Sequence, residues 1–199
     1  MGLISNGTTI FDNGSMASGF GGNLNFISSA TASSSASIEF TSGIDSTYKE
    51  YVFYFVNIHP STDAVRFQFN MSTDNGSNYN VVKTSTSFTP YHRENDTSAS
   101  MNYDSAYHLA QSTAYQTIGV ETGNDNDQNC SGYLHLFNPS SSTFVKHWIS
   151  NFNSAQHNDF TIGLFCAGYG NTTSSIDAVK FVMSSGNIDS GEILLFGVN

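Results

Sequence analysis

The sequence predicts an all-β protein, an antiparallel two-sheet β-sandwich that follows an extended N-terminal arm. Three observations predict this fold. Apolar and polar residues alternate with a period of two in short runs, as in Val65, Phe67, Phe69 and Met71. Gly, Asn, Asp, Ser and Pro bound these runs, and no segment keeps the 3.6-residue period of an amphipathic helix.

The first 35 residues differ in composition from the rest and are predicted to form the arm. They are rich in Gly and Ser and carry isolated apolar residues. Such a segment becomes ordered by docking, either on its own domain or on a partner surface, and we favour the partner. The candidate anchoring residues are Ile4, Ile10, Phe11, Phe20, Leu24 and Phe26.

Residues 36–199 are predicted to form the sandwich, with eight or more strands. Two runs, 48–58 and 160–168, are almost continuously apolar, as central strands covered on both faces would be. The single Trp, Trp148, alternates within an apolar strand and is predicted to lie in the core. Strands are expected at 37–40, 48–58, 65–71, 115–120, 132–137, 144–149, 160–168, 178–183 and 192–198.

Two polar segments between these strands are predicted to be turns. Asn75-Gly76 tolerates positive φ at both positions and is a strong tight-turn signal. The segment SSGNIDSG (184–191) carries a single carboxylate, Asp189, and neither an aromatic residue nor a histidine. We therefore interpret it as a connector in which Gly186 and Gly191 supply backbone freedom.

The charge balance argues against nucleic acid and membranes as partners. Six Lys and Arg stand against 16 Asp and Glu, which gives a net charge of -10. Such a chain repels phosphate backbones and anionic lipid surfaces. The N-terminus has neither a basic region nor an apolar core, so no secretory signal is predicted. Synthesis in a cytoplasm is expected, with Cys130 and Cys166 as buried free thiols.

No catalytic, cofactor or metal motif is complete in this sequence. Asp125, Asp127 and Asn129 alternate like the start of a calcium loop, but the expected Gly and the final Glu of that loop are missing. A solvated loop is the default, and calcium binding stays open. Glu39 and Glu50 could pair as hydrolase carboxylates, yet each precedes an aromatic residue in a strand. We therefore expect no enzyme activity and no cofactor.

The longest polar segment dotted with aromatic residues is 89–108, and we expect it to contact a partner subunit or a glycan. Long loops on a sandwich commonly carry function. The candidate contact residues are Tyr91, His92, Arg93, Tyr103 and Tyr107.

Parts of the chain resemble virion proteins of tailed phages. Residues 37–80, SIEFTSGIDSTYKEYVFYFVNIHPSTDAVRFQFNMSTDNGSNYN, have the pattern of a recurring β-sandwich in such proteins. The ending KFVMSSGNIDSGEILLFGVN (180–199) looks like its closing hairpin. The opening GLISNGTTIFDNGS resembles leaders of virion proteins from phages of marine and aquatic cyanobacteria.

This resemblance implies that the sandwich is jelly-roll-like. It also implies a non-enzymatic virion structural protein anchored by its arm, most readily a capsid decoration or cement protein or a head-fibre component. The alternative is a glycan- or receptor-binding module of a tail fibre or appendage. Expected partners are other virion proteins and further copies of this chain, a trimer among the options, with a host-surface glycan as a third candidate. The family pattern brings no catalytic residues with it.

Overall fold

The computed structural model describes residues 3–6, 8–12, 15–16 and 23–199, and among the first sixteen residues the side chains of Ile4 and Asn6. These residues form fifteen strands and one short 3-10 helix, Ser105–Tyr107. The strands are β1 (Leu3–Ser5), β2 (Thr8–Asp12), β3 (Ser15–Met16), β4 (Leu24–Thr31), β5 (Ile38–Phe40), β6 (Glu50–Pro60), β7 (Val65–Ser72), β8 (Lys83–Arg93), β9 (Ala99–Asn102), β10 (Gln116–Thr122), β11 (Cys130–Phe137), β12 (Lys146–Gln156), β13 (Phe160–Gly170), β14 (Ala178–Met183) and β15 (Ile188–Val198).

The fold is all-β and antiparallel, as the sequence predicted. Strands β1, β2 and β3 form a small sheet of their own. Nine strands follow one another in the order β4-β15-β6-β11-β12-β10-β7-β14-β5 and form a nearly closed, barrel-like sheet. Strands β13, β8 and β9 extend this sheet sideways from β12. The last strand, β15, pairs with both β4 and β6 and is therefore an integral part of the sheet.

One residue pair joins the two halves of the main sheet. Strands β12 and β10 are paired only at Gln156 and Thr122, whereas β12 pairs with β13 over eleven residues. The end strands β4 and β5 are not paired with each other, so the sheet is open between them. The chain that connects these two strands crosses this opening, and its residue Ser35 forms an isolated bridge with Ile188 of β15. The main sheet thus consists of two sets of strands that face each other. The smaller set is β10, β7, β14 and β5, and the broad set is β4, β15, β6, β11, β12, β13, β8 and β9.

An aromatic cluster fills the space between these two sets. Phe181 of β14 is fully buried. Its ring centroid lies 5.2 Å from that of Phe53 and 5.0 Å from that of Phe55, both on β6 in the opposite set. Phe67 of the neighbouring strand β7 stacks on Phe181 at 5.9 Å. Trp148 is also fully buried, as predicted, so the core spans both sets.

Three strands of the main sheet, β4, β8 and β9, were not recognised in the sequence. Strand β8 shows why: its inward positions include Lys83, Ser87 and Thr89, so its alternation is hidden behind polar residues. Strand β4 lies in the Ser-rich segment interpreted as arm, and it pairs with β15 alone. In β8, buried and exposed side chains alternate as the pleat requires, but apolar and polar residues do not.

The two predicted turns form, but neither makes a hairpin. Asn75 and Gly76 have φ of 56° and 80°, and Ser77 donates its N–H to the carbonyl of Asp74. The flanking strands β7 and β8 are nevertheless not partners. Likewise β14 and β15 are not paired, so the expected closing hairpin is wrong. The segment between them, with Gly186 at φ 70°, leads the chain from one set to the other.

A lysine is buried at the start of β8. Lys83 is inaccessible to solvent, and its Nζ donates hydrogen bonds to Asn70 Oδ1 and to the carbonyl of Val81. Neither acceptor carries a charge. Burial therefore lowers the pKa of Lys83 to about 7.

We expect the substitution Phe181→Ala to lower the free energy of unfolding by about 3–5 kcal/mol, because it leaves a cavity at the centre of the aromatic cluster. Phe144→Ala makes the same chemical change at a side chain that is 68% exposed and should cost little. Urea unfolding of both variants measures the difference. Equal losses would show that Phe181 is not central to the core.

We also expect Lys83 to make stability depend on pH. Below about pH 7 its amine is protonated in both states, and the folded state bears the full desolvation cost. Between about pH 7 and 10 the folded state holds a neutral amine while the unfolded chain remains protonated, so the free energy of unfolding rises with pH.

The comparison protein for this prediction is Lys83→Met, which has no amine to titrate at this position. The unfolding free energy of the wild type relative to this variant should rise by about 2 kcal/mol from pH 7 to pH 9 in urea titrations. The buried thiols titrate in both proteins and cancel. A difference that stays constant with pH would contradict the prediction.

Candidate functional site

The five contact residues predicted in the segment 89–108 separate into two groups in the structure. Tyr91, on β8, and Tyr107, in the 3-10 helix, line one cavity. Arg93 lies beside that cavity, with its guanidinium carbon 5.1 Å from the centroid of a lining ring. His92 points to the other side of β8, where its Nε2 lies 2.9 Å from Asp96 Oδ1. Tyr103 is 73% exposed outside the cavity.

The cavity has a volume of about 250 Å³ and lies between the 89–108 segment and the ends of β10, β12 and β13. Its wall combines aromatic rings, hydroxyls, side-chain amides and two carboxylates. The lining residues are Thr89, Tyr91, Ser98, Asn102, Asp104, Tyr107, Glu121, Gln156, Phe160 and Ile162.

Glu121 enters the cavity from a distorted part of β10. The pairing of β10 with β7 shifts register between Gly119 and Thr122, and Glu121 has φ of 48°, in the left-handed region. Bulges of this kind turn a side chain away from its ordinary direction. Gln156 Nε2 donates a 2.7 Å hydrogen bond to Glu121 Oε2, which fixes the carboxylate.

Asp104 is held by the 3-10 helix that follows it. Its Oδ1 accepts a hydrogen bond from the N–H of Ala106 at 2.8 Å, in the manner of an N-cap. At the end of this helix, burial and the nearby Glu121 carboxylate raise the pKa of Tyr107 to about 12. Tyr107 is thus a neutral hydroxyl, and the guanidinium carbon of Arg66 lies 4.9 Å from its ring centroid.

A second feature is the outer face, which we define as the outward-pointing side chains of β4, β15, β6, β11, β12, β13 and β8. Strand pairing aligns these side chains in rows that cross the sheet. One row runs through paired residues Leu194, Tyr54, Tyr133, Asn151, Phe165 and Phe88. A neighbouring row contains Phe26, Phe196, Val52, His135, Ile149, Ala167 and Thr86.

The outer face is aromatic and partly exposed. Phe88 and Phe165 stack with ring centroids 4.8 Å apart and planes 4° from parallel, and both remain substantially exposed. Ile149, on the adjacent strand, is 49% exposed. Large apolar patches on a soluble protein mark interaction sites.

The outer face also carries few charges. Among the outward positions of its seven strands, the carboxylates are Glu50, Glu192 and, at the start of β15, Asp189. Glu50 is hydrogen-bonded to His135 Nδ1. The 16 acidic residues of the chain therefore lie largely elsewhere.

The six candidate anchoring residues are described unequally. Ile4 is 61% exposed, and Leu24 and Phe26 are exposed side chains of β4. Phe26 contacts the ring of Phe196 on β15, with centroids 5.6 Å apart. Ile10 and Phe11 belong to β2, but their side chains lie outside the described ones, as does the whole of Phe20.

The two carboxylates that the sequence analysis weighed as a hydrolase pair, Glu39 and Glu50, have separate partners in the structure. Glu39 forms an ion pair with Lys180 at 2.8 Å, which holds the pKa of Glu39 below its usual range. Glu50 pairs with His135 instead. The cavity brings together two other carboxylates, Asp104 and Glu121, which the sequence did not connect.

The thiols and the acidic loop take the positions expected for structural elements. Cys130 and Cys166 are buried and free, as predicted, and burial raises the pKa of both thiols to about 12. Asp125, Asp127 and Asn129 lie in the loop before β11, where the Asp125 carbonyl contacts His59 Nε2. Within the described ranges, no three His, Cys, Asp or Glu side chains are arranged to hold a metal ion.

No protein-family model, curated protein or solved structure matches this chain. In the part of the chain that the structure describes, no helix has the length and apolar character needed to cross a membrane.

Proposed function

We propose that this chain is a structural and assembly protein of a tailed-phage particle, a capsid decoration or cement protein or a head-fibre component. The observation that supports this most directly is the outer face, an aromatic and nearly uncharged surface on an otherwise acidic domain. Such a surface suits a protein that functions by packing against neighbouring protein molecules. The resemblance of its sequence to virion proteins supplies the kind of assembly.

The arrangement of strands is compatible with the proposed family. We interpret the main sheet as a jelly-roll-like sandwich whose smaller layer is β10-β7-β14-β5, with the single pair between Thr122 and Gln156 as its seam. The compact domain and the absence of sequence repeats favour decoration or a short fibre over a long fibre.

A second copy of this chain is the occupant that we propose for the outer face. Two copies that each carry a net charge of -10 repel each other. The outer face is where this repulsion is smallest, because its outward positions hold three of the 16 carboxylates, Glu50, Glu192 and Asp189. In addition, aromatic residues are enriched in the buried centres of protein–protein interfaces.

The area of the outer face is sufficient for such contact. Its seven strands at a spacing of about 4.8 Å give a width of about 29 Å. Five outward positions along β12, from His147 to Ala155, repeat about every 6.8 Å and give a length of about 27 Å. The product, about 800 Å², equals the share of one partner in an interface of standard size.

Other virion proteins are the proposed partners of the N-terminal segment, and the virion is the proposed location after synthesis in the host cytoplasm. Nucleic acid and membrane surfaces are not proposed as partners, because the net charge is strongly negative. Residues 1–22 precede β4, so the segment can be removed without touching the main sheet.

We expect the wild-type chain to be oligomeric and Phe165→Glu to shift it towards monomer. The substitution places a charge in the aromatic row of the outer face, beside Phe88, where burial against another copy would desolvate it. Ser77→Asp adds a charge at an exposed position after β7, in the opposite set of strands, and should leave the oligomer intact. Sedimentation velocity measures all three proteins. A monomeric wild type at high micromolar concentration would contradict the proposed second copy.

Particle assembly tests the proposed function itself. The full chain should appear in many copies on purified particles by electron microscopy and quantitative mass spectrometry. A chain that lacks residues 1–22 should fold, with unchanged thermal unfolding, yet be missing from particles. Removal of residues 1–30 should also unfold the domain, because it deletes most of β4. Normal occupancy by the chain that lacks residues 1–22 would refute the anchoring arm, and absence of the full chain from particles would refute the virion role.

A further inference from the structure

We infer that the cavity beside the 89–108 segment is a binding site for one ring of a neutral saccharide. This goes beyond the proposed assembly role, because it assigns a ligand to a surface that takes no part in the outer face. The inference depends on the lining groups, the charge and the size of the cavity, and on the backbone that holds Glu121 in place.

The lining groups match the hydrogen-bonding needs of a sugar. Each sugar hydroxyl both donates and accepts, so it is best met by a carboxylate acceptor next to an amide. Asp104 and Glu121 supply the carboxylates, and Asn102 and Gln156 supply the side-chain amides. Thr89, which is 3% exposed, adds a buried hydroxyl to the wall.

Aromatic groups supply the complementary apolar contact. Tyr91 and Phe160 meet edge to face with centroids 5.6 Å apart, and both line the cavity. The C–H face of a sugar ring packs against such aromatic surfaces, while its hydroxyls point to polar groups at the sides. Ile162 extends the apolar part of the wall.

The charge of the wall excludes anionic ligands. Two carboxylates line the cavity, and its lining contains neither Lys nor Arg. The two nearby guanidinium groups lie over the Tyr107 and Phe160 rings. The Asp104 and Glu121 carboxylates would repel uronic acids, sialic acids and phosphorylated ligands, so we commit to a neutral hexose or N-acetylhexosamine.

The size limits the ligand to a single ring. At about 250 Å³ the cavity lies just below the range of about 300–1,000 Å³ that holds drug-sized molecules. One terminal sugar of a longer glycan fits this volume, with the rest of the glycan outside.

The backbone at Glu121 directs its carboxylate towards the cavity. A non-glycine residue at φ of 48° costs about 1–2 kcal/mol and persists where the surrounding structure holds it. Here Gln156 holds the carboxylate through its hydrogen bond to Oε2. The distortion turns an acidic side chain into the cavity.

The geometry favours binding over hydrolysis. A glycoside hydrolase needs one carboxyl group as acid and a second as base or nucleophile. Asp104 Oδ1 is engaged by the N–H of Ala106, and Glu121 Oε2 by Gln156. Both groups are thus held as hydrogen-bond acceptors, and we propose no bond cleavage.

Saturation-transfer NMR on the full-length chain tests the inference, with methyl glycosides of glucose, galactose, mannose, N-acetylglucosamine and N-acetylgalactosamine as probes. At least one probe should bind with a dissociation constant in the millimolar range or below, and methyl glucuronide should bind at least about tenfold more weakly. Absence of binding by all five neutral probes would overturn the inference. So would preferential binding of the glucuronide.

Isosteric substitutions locate the site. Asp104→Asn keeps a capping residue, and Glu121→Gln keeps an acceptor for Gln156, so the double variant should fold like the wild type. It should weaken the best probe by about tenfold or more, since charge-assisted hydrogen bonds are lost. Asp63→Asn makes the same change in the exposed turn after β6 and should have no effect. Equal affinity of the double variant and the wild type would place the sugar elsewhere and overturn the inference.

Two further readouts separate this inference from its alternatives. Asn102→Ala changes an exposed lining residue and should also weaken binding, even if the double variant fails to fold. Release of free sugar from the methyl glycosides would overturn binding without cleavage. Because these measurements use the isolated chain, their failure leaves the virion role unaffected, and loss of the virion role leaves the sugar measurements valid.

Discussion

The contact of Phe181 with Phe53 and Phe55 across the interior is the constraint on which the rest of the fold depends. Phe181 lies on β14 and the other two on β6, so the contact fixes the distance between the two sets of strands. It also fixes the register, because a slip by one residue would turn these rings outwards. The chain must therefore cross between the two sets to bring both halves of the cluster together.

This packing has a consequence for the opposite side of the sheet. The inward positions of β6, β11, β12 and β13 are filled by the core, yet their outward positions are again aromatic, as in Tyr54 and Phe165. A strand that is apolar on both faces is typical of sheets covered on both sides. The chain itself covers one side, and the proposed second copy would cover the other. The low charge of this face and the high acidity of the rest are then parts of one arrangement.

The sequence was sufficient to predict the positions of those strands whose inward and outward residues differ in polarity. Alternation located β7 and β14 within one residue at each end. It could not locate β8, where inward Lys83 and Thr89 satisfy their polar groups through hydrogen bonds that only the folded chain provides. The candidate site divides in the same way. Tyr91 and Tyr107 lie in one polar segment that the sequence makes conspicuous. Glu121 and Gln156 lie on strands that are far apart in the sequence, and no local pattern links them.

The cavity and the closure of the main sheet depend on the same residues. Thr122 and Gln156 form the single pair that joins β10 to β12, and Glu121 and Gln156 line the cavity. At this seam β10 must leave β7 and reach β12, which requires the register shift and the left-handed backbone at Glu121. A regular strand here would alternate its side chains between core and solvent and leave no recess. The distortion that closes the sheet is therefore what creates a polar cavity and turns a carboxylate into it, so a binding site at this corner needs no structure beyond that of the fold.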